Sequence, residues 1–266
     1  MAYSALMRVM VEAARKAGRS LARDYGEVQN LQVSVKGPGD YVSQADRKAE
    51  EIIYSELARA RPGYSFLMEE RGSVEGDDGQ HRWIVDPLDG TTNFLHGIPF
   101  FAVSIALERQ GTLVAGVIYN PAMDELFTAE RGGGAFLNDR RLRVAARKHL
   151  TDSVICTGIP HLGRGNHGSA LVSLRNIMGE TAGVRRIGAA SLELGYVAAG
   201  RFDGFWEDGL APWDVAAGAL MIREAGGYAS TRTGGADIFD DSTIVAGNEF
   251  IHRGLIDVLK RPAVRT

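Results

Sequence analysis

Cysteine is nearly absent from this sequence, and its scarcity limits how the chain can be stabilised. Cys156 is the one cysteine among 266 residues, so the chain cannot form an internal disulfide. Disulfides are mostly found in secreted proteins, whereas reducing compartments keep thiols unpaired. The six histidines show none of the short spacings, such as H-E-x-x-H, that are typical of zinc sites. We therefore expect a cytoplasmic protein with neither a disulfide nor a zinc centre.

Long apolar runs and a strong charge imbalance are also missing. No segment approaches the roughly 20 apolar residues that cross a bilayer. Residues 1–25 have apolar side chains at helical spacing broken by charges, which predicts an amphipathic helix and not a secretory signal. A net charge of −3 gives no indication of a nucleic-acid or anionic-membrane partner. With 45% apolar and 24% charged residues, the composition is that of an ordinary globular protein with a sizeable core.

Two secondary-structure elements and a loop are predicted after the first helix. Residues 31–42 alternate around a Gly-Pro-Gly turn, which predicts two short strands or a hairpin. Residues 46–61 return to helical spacing, and Pro62-Gly63 ends that helix. Residues 72–80 are rich in glycine and aspartate, and we interpret them as a mobile loop.

The pattern of apolar residues changes near residue 150. Short apolar strands separated by turns predict an antiparallel meander over 101–144. From 153 to 225, strands alternate with helices, which is typical of an α/β unit. The sequence thus predicts an antiparallel N-terminal half, 1–148, packed tightly against an α/β C-terminal half, 149–266.

The most informative segment is Trp83-Ile84-Val85-Asp86-Pro87-Leu88-Asp89-Gly90-Thr91-Thr92-Asn93-Phe94. Its apolar start predicts the end of a buried strand, and two carboxylates follow it. Gly90 and two threonines then predict the start of a short helix. Hard cations prefer carboxylate oxygens, and the free N–H groups of a helix start accept anions. The segment therefore indicates metal-assisted phosphoryl chemistry.

Three motifs in this chain resemble those of the inositol monophosphatase family. The segment from Asp86 to Phe94 is similar to its first signature, and Trp213-Asp214-Val215-Ala216-Ala217-Gly218 with Glu224-Ala225-Gly226-Gly227 to its second. The acidic pair Glu69-Glu70 matches a third, weaker element. The resemblance covers nearly the whole chain and is closest to bacterial inositol-1-monophosphatases of the SuhB type. It implies a mixed α and β fold, a layered αβαβα sandwich of the sugar-phosphatase type, with the active site between the two halves.

The resemblance also implies a site for two or three Mg²⁺ ions. Its ligands would be four acidic side chains and one main-chain carbonyl: Glu69, Asp86, Asp89, Asp214 and the carbonyl of Leu88. One ion would activate a water that attacks phosphorus in line, and a second would neutralise the leaving alkoxide. Met68 is a departure, because the family usually has glycine before the acidic pair.

Catalytic and substrate-binding roles follow from the same resemblance. Glu69 would help to orient the attacking water, and Thr91 with Asp46 would accept its proton. Lys36 matches a family lysine near the active site. The N–H groups of Gly90 and Thr91 would hold phosphate oxygens. The full set implied to contact substrate is Glu69, Leu88, Asp89, Gly90, Thr91, Arg185 or its neighbour Arg186, Gly188, Ala189, Ala190, Glu207 and Asp214.

Each of these acidic residues also has a structural interpretation. Asp86 and Asp89 are common turn residues. Asp214 and Asp46 each stand where a helix is predicted to begin, so both are candidates for N-caps. The pair Glu69-Glu70 precedes a polar segment, where acidic residues are usually solvated surface.

The implied activity is Mg²⁺-dependent hydrolysis of inositol 1-phosphate or a similar small polyol phosphate by a lithium-sensitive homodimer. Alternative substrates within the superfamily are fructose-1,6-bisphosphate, 3′-phosphoadenosine 5′-phosphate, NADP and histidinol phosphate. An alternative of another class is a protein that binds the transcription machinery and retains secondary phosphatase activity. Residues 163–168 satisfy the Gly-x-Gly-x-x-Gly dinucleotide pattern, but they do not directly follow a predicted strand, which argues against nucleotide binding.

Overall fold

The computed structural model describes residues 3–27, 33–37, 40–161 and 165–262. Within these ranges the chain forms seven α-helices, and none of them is long and apolar enough to span a membrane. The helices are α1 (Ala5–Tyr25), α2 (Gln44–Ala60), α3 (Thr91–Leu95), α4 (His167–Met178), α5 (Ala190–Ala198), α6 (Pro212–Glu224) and α7 (Glu249–Leu259). Ser4 is the N-cap of helix α1, and its Oγ accepts a hydrogen bond from the Met7 N–H at 3.0 Å.

Fifteen strands are present in the same described ranges. They are β1 (Val33–Gly37), β2 (Asp40–Ser43), β3 (Ser65–Met68), β4 (Gly72–Val74), β5 (His81–Asp89), β6 (Ala102–Arg109), β7 (Thr112–Asn120), β8 (Glu125–Glu130), β9 (Gly134–Leu137), β10 (Arg140–Arg141), β11 (Val154–Thr157), β12 (Gly183–Arg185), β13 (Gly204–Asp208), β14 (Tyr228–Ser230) and β15 (Thr243–Gly247). Strands β1 and β2 pair antiparallel, so the hairpin predicted over 31–42 is confirmed where the structure describes it.

The N-terminal half contains an eight-stranded sheet in the order β10-β9-β8-β7-β6-β5-β3-β4. From β5 to β10 every neighbouring pair is antiparallel, which confirms the predicted meander. Strand β3 is the exception, because it lies parallel to β5. A parallel pair places two carboxyl ends at the same edge of the sheet, and the edge where β3 and β5 end carries the acidic residues.

The C-terminal half contains a five-stranded sheet in the order β12-β11-β13-β15-β14. Strands β11, β12 and β13 are mutually parallel, and β15 is antiparallel to both of its neighbours. The alternation predicted from residue 153 onward is therefore confirmed as an α/β unit. Helix α7 and strands β14 and β15 extend this unit beyond the elements that the sequence predicted.

The helices and sheets stack in five layers. Helices α1 and α2 cover one face of the eight-stranded sheet, and α5 and α6 lie between the two sheets. Helices α4 and α7 cover the outer face of the five-stranded sheet. This αβαβα order is the predicted sandwich. A continuous core of residues from both halves fills the space between the sheets and includes Ile84, Phe127, Leu192 and Phe205. The division of the chain at residue 148 stays a prediction.

Residues 72–80 differ from the loop that their composition predicts. Gly72–Val74 form strand β4, which pairs antiparallel with β3, so the loop prediction is wrong at its start. The backbone N–H of Asp78 then donates to the Gly63 carbonyl at 2.9 Å. Pairing with β3 overrides the local preference of a glycine- and aspartate-rich segment for a turn.

Candidate functional site

Glu69 and Asp86 are brought together by the parallel pairing of β3 and β5. Met68 pairs with Val85 in that ladder, and the Glu69 N–H donates to the Val85 carbonyl at 3.2 Å. Glu69 therefore leaves β3 beside the point where Asp86 stands on β5. Met68 is buried in the strand and is not among the described residues with positive φ, so the position does not require glycine.

A bulge in β5 sets the spacing of the two aspartates. The pairing with β6 shifts register between Asp86 and Asp89, so Pro87 causes no loss of a ladder hydrogen bond. Within the bulge, the Leu88 N–H donates to Asp86 Oδ1 at 2.9 Å. The same irregularity that accommodates Pro87 leaves both carboxylates on one side of the strand end.

Helix α6 supplies the third aspartate from the opposite half of the chain. Asp214 is not the N-cap that the sequence suggested, because α6 begins two residues earlier at Pro212. Asp214 Oδ2 instead accepts the Ala211 N–H at 2.7 Å and so satisfies a free donor at the helix start. Carboxylate oxygens of Asp86, Asp89 and Asp214 all lie within 4.8 Å of one another.

These carboxylates destabilise one another's charged forms. Asp86 is 2% exposed, and burial, followed by the charges of Glu69, Asp89 and Asp214, raises its pKa well above the ordinary value. Burial likewise raises the pKa of Asp89, although hydrogen bonds from Ser191 oppose that effect. An all-oxygen donor set of clustered carboxylates suits a hard divalent cation, which would relieve the repulsion. The residues present therefore fit a metal centre.

The residues after β5 turn the chain into the short helix α3. Gly90 has a φ of +88°, and an added Cβ would lie 2.9 Å from the Phe100 carbonyl oxygen, so glycine is required there on both grounds. Thr91 Oγ1 donates to the Leu88 carbonyl at 3.1 Å. Asp46 is buried in the first turn of α2, which begins at Gln44, so Asp46 is not the N-cap of that helix. Its predicted proton relay with Thr91 stays a prediction.

A cavity of about 150 Å³ joins these groups to the substrate-binding residues implied by the resemblance. Its walls include Glu69, Asp86, Leu88, Asp89, Gly90, Thr91, Gly188, Ala189, Ala190, Glu207 and Asp214. Of the two arginines that the sequence left open, Arg186 lines the cavity, whereas Arg185 is exposed and donates to the Val184 carbonyl. Burial, followed by the charges of Glu193, Asp214 and Asp89, raises the pKa of Glu207 well above its ordinary value.

Three residues that sequence reasoning missed hold the cavity walls in place. Ser191 donates to Asp89 Oδ2 through both its hydroxyl, at 2.5 Å, and its N–H, at 2.7 Å. Asn93 Nδ2 donates to the carbonyls of Phe100 and Ile187, each at 2.8 Å, and so ties α3 to the segment before α5. Partners so far apart in sequence leave no local pattern, although Asn93 stands within the first signature.

Glu193 is the third missed residue, and it lies on the first turn of α5. Its side chain is fully buried and accepts the Ile187 N–H at 2.7 Å, which fixes the segment that leads into Gly188. Burial raises the pKa of Glu193 to about 8.

Two sequence predictions concern residues outside the described part of the chain. Lys36 stands in β1, but its side chain lies outside the described residues. Gly163 and Arg164 of the dinucleotide pattern lie outside them as well. Within that pattern, Asn166 acts as the N-cap of α4 and accepts the Ser169 N–H at 3.0 Å, which is a structural role.

Known proteins of one family are similar to this chain over nearly its whole length. A model of the inositol monophosphatase family matches residues 2–261. The chain is 73% identical over 262 residues to an inositol-1-monophosphatase of Mesorhizobium japonicum, covering 98% of each chain. It is 44% identical over 259 residues to the Nus factor SuhB of Pseudomonas aeruginosa, covering 96% of each.

A solved structure shares the fold in detail. The extragenic suppressor protein SuhB of Bartonella henselae is 68% identical, superposes with a TM-score of 0.95, and covers 97% of this chain and 99% of its own. The shared fold, the whole-length family match and the carboxylate cluster at the edge of β3 and β5 all agree. The chain belongs to the inositol monophosphatase family and is an enzyme of the phosphatase type.

Proposed function

We propose that this protein is a Mg²⁺-dependent phosphomonoesterase that hydrolyses inositol 1-phosphate or a similar small polyol phosphate. The observation that carries the proposal is the grouping of three aspartates, within 4.8 Å of one another, in a cavity that also contains Thr91 and Glu207. Carboxylates at one end suit cations and a phosphate, and a carboxylate at the other end suits hydroxyl groups. The proposal therefore gives the phosphate and the hydroxyl groups of the substrate each a place in the cavity.

Glu69, Asp86, Asp89, Asp214 and the Leu88 carbonyl are the proposed ligands of two or three Mg²⁺ ions. The acidic cluster and its raised pKa values support this set. Bound Mg²⁺ would lower the pKa of a coordinated water and neutralise charge on the leaving alkoxide. Ser191 would keep Asp89 in one orientation, because two hydrogen bonds occupy its Oδ2.

The chain's own residues orient the water and the phosphate. Glu69 lies beside Asp86 and is proposed to direct the attacking water, while Thr91 and Asp46 accept its proton. Thr91 Oγ1 bonds to the Leu88 carbonyl, which places that hydroxyl beside the proposed ligands. The N–H groups of Gly90 and Thr91 precede the first turn of α3 and are proposed to hold phosphate oxygens.

The opposite wall of the cavity is proposed to hold the polyol. Gly188, Ala189 and Ala190 are small and allow a ring to approach closely, and Glu207 faces the same space. Arg186 adds a positive charge at this wall. The positive φ of Gly188, +91°, is a conformation that other residues rarely adopt, so the opening there depends on glycine.

Phosphate release with Mg²⁺ tests the proposal directly. The panel contains inositol 1-phosphate, fructose-1,6-bisphosphate, 3′-phosphoadenosine 5′-phosphate, NADP and histidinol phosphate. We expect turnover of inositol 1-phosphate to be the fastest and to require Mg²⁺. Preference for another ester would keep the metal mechanism and change the substrate, whereas no Mg²⁺-dependent release from any ester would refute the proposal.

Asp89→Asn and Asp257→Asn form a matched pair of controls. Both substitutions remove one negative charge, but Asp89 lies in the cluster and Asp257 is exposed on α7. Loss of a ligand should lower kcat at least 100-fold, while Asp257→Asn should leave it unchanged. Equal activity of the two variants would show that Asp89 is not a metal ligand.

A second candidate function comes from the relative named Nus factor SuhB, which is 44% identical to this chain. On that basis we consider binding to the transcription machinery as an alternative. A pull-down with RNA polymerase and Nus factors tests it, and the Asp89→Asn variant separates binding from catalysis. Assembly into a homodimer, inhibition by lithium and a cytoplasmic location likewise stay predictions.

A further inference from the structure

Gly158 lies directly against the carboxylate of Glu207. It follows the last residue of β11, Thr157, which pairs with Trp206 in the parallel ladder of β11 and β13. Gly158 and Glu207 are therefore neighbours at the carboxyl edge of the five-stranded sheet. A Cβ built on Gly158 would lie 1.8 Å from Glu207 Oε1, 2.0 Å from its Cδ and 2.3 Å from its Oε2.

Space, and not backbone conformation, is the reason why glycine is needed at 158. Gly90 and Gly188, on the other walls of the cavity, have positive φ, but Gly158 is not among the described glycines that do. An L-residue could adopt the backbone conformation at 158 without strain. The three heavy atoms closest to the added Cβ all belong to the Glu207 carboxylate, so that carboxylate is the group a side chain would displace.

The Glu207 carboxylate has room for hydroxyl groups because the protein leaves it unengaged. Among the residues that the structure describes, it makes no hydrogen bond or ion pair, although the charge of Arg186 acts on it from the same cavity. It nevertheless lines the cavity together with Asp214 and Arg186. Its position is set by contact with the bare backbone at 158, and its oxygens remain available to accept hydrogen bonds.

We propose that Gly158 is a specificity-determining residue, because its missing side chain lets the Glu207 carboxylate sit at the cavity floor and accept polyol hydroxyls. This inference rests on the proposed function and assigns the selection of hydroxylated substrates to one contact. A side chain at 158 pushes the end of a flexible glutamate into the space for the ring. The backbone and the carboxylates of the metal cluster stay in place, so cleavage of esters without hydroxyls persists.

Gly158→Ala tests the proposal with two substrates at saturating Mg²⁺. Inositol 1-phosphate carries hydroxyls next to the ester, and p-nitrophenyl phosphate carries none. We expect kcat/KM for inositol 1-phosphate to fall about 10- to 100-fold, mainly through KM, because the polyol hydroxyls lose their hydrogen-bond acceptor inside the cavity. We expect kcat/KM for p-nitrophenyl phosphate to change less than threefold. Gly179→Ala is the matched control, since its Cβ would meet nothing closer than 3.6 Å at the end of α4.

A second variant separates displacement of the carboxylate from general damage. Glu207→Asp in the Gly158→Ala background shortens the acidic side chain and restores the space beside residue 158. The double variant should therefore prefer inositol 1-phosphate over p-nitrophenyl phosphate more strongly than Gly158→Ala alone does. The proposal would be overturned if Gly158→Ala lowered kcat/KM equally for both substrates, or if it kept the wild-type preference for inositol 1-phosphate. A Gly158→Ala chain that does not fold would also overturn it, because the backbone would then have moved in place of the carboxylate.

Failure of the proposed function gives a different result. In that case wild-type protein would not prefer inositol 1-phosphate over p-nitrophenyl phosphate, and Gly158→Ala would have no preference to lose. Wild-type preference that survives in Gly158→Ala refutes the inference about Gly158 and leaves the proposed function standing.

Discussion

Glu193→Gln should make the stability of this protein less dependent on pH. Burial raises the pKa of Glu193 from 4.5 to about 8 in the folded chain. Between those values the unfolded chain has released the proton and the folded chain still holds it, so wild-type stability falls as pH rises. Each pH unit in that window costs about 1.4 kcal/mol, and the loss is complete above the folded pKa.

The expected magnitude follows from that window. Between pH 5 and pH 8.5 the titration of Glu193 lowers the wild-type free energy of unfolding by about 4 kcal/mol. Glutamine does not titrate, and its Oε1 can still accept the Ile187 N–H. Its NH₂ group adds a penalty for burying a donor, but this penalty is the same at both pH values. The free energy of unfolding of the variant, relative to that of wild type, should therefore rise by about 4 kcal/mol between pH 5 and pH 8.5.

Urea unfolding of both proteins at pH 5 and pH 8.5 measures this difference. Glu12→Gln is the control, because the Glu12 side chain is 65% exposed on α1 and its substitution should give the same difference at both pH values. A Glu193→Gln difference that stays constant across the pH range would refute the reasoning. That outcome would mean that Glu193 ionises in the folded protein as easily as in the unfolded chain.

The remaining predictions concern the metal cluster and the turn beside it. In differential scanning calorimetry, saturating Mg²⁺ should raise the Tm of wild type. Asp86→Asn should raise the metal-free Tm and reduce the increase that Mg²⁺ causes, because a buried negative charge is gone. A wild-type Tm that is the same with and without Mg²⁺ would contradict this. Asn93→Ala should cost about 2–4 kcal/mol in urea unfolding, since it removes the donor to two partly buried carbonyls. Asn176→Ala should cost under about 0.5 kcal/mol, because it removes one solvent-exposed hydrogen bond to the Arg261 carbonyl. Gly90→Ala should cost about 2 kcal/mol or more because of its positive φ and the contact with the Phe100 carbonyl, and an unchanged unfolding midpoint would count against it.

The elements that sequence reasoning predicted are those with local periodic patterns. The meander over 101–144 and the alternation after residue 153 are visible because each strand or helix carries its own apolar period. Strand β4 was missed because its pairing with β3, and not its composition, makes it a strand. Helix α7 also has a local pattern, with an N-cap at Asn248 and a clear apolar face, so its existence can be predicted from the sequence as well.

The limits of the site prediction have a similar physical origin. Asp86 and Asp89 could be found because one local motif contains both. The alternative interpretation of Asp214 as an N-cap is wrong because α6 begins two residues earlier, which is the usual uncertainty of a helix end. Ser191 could not be found, because nothing near it in sequence shows that its hydroxyl meets Asp89.

The hydrogen bonds between Ser191 and Asp89 join residues 102 positions apart, and this has a consequence for synthesis on the ribosome. Asp86 and Asp89 emerge from the ribosome long before Ser191 and Asp214 are made. A growing chain that ends before residue 214 therefore has the strand edge without the residues that close the cluster. Its carboxylates stay hydrated and do not yet repel one another in a buried space. We expect Mg²⁺ to bind only after release of the C-terminal half, so metal binding would stabilise the finished enzyme and would not guide the nascent chain.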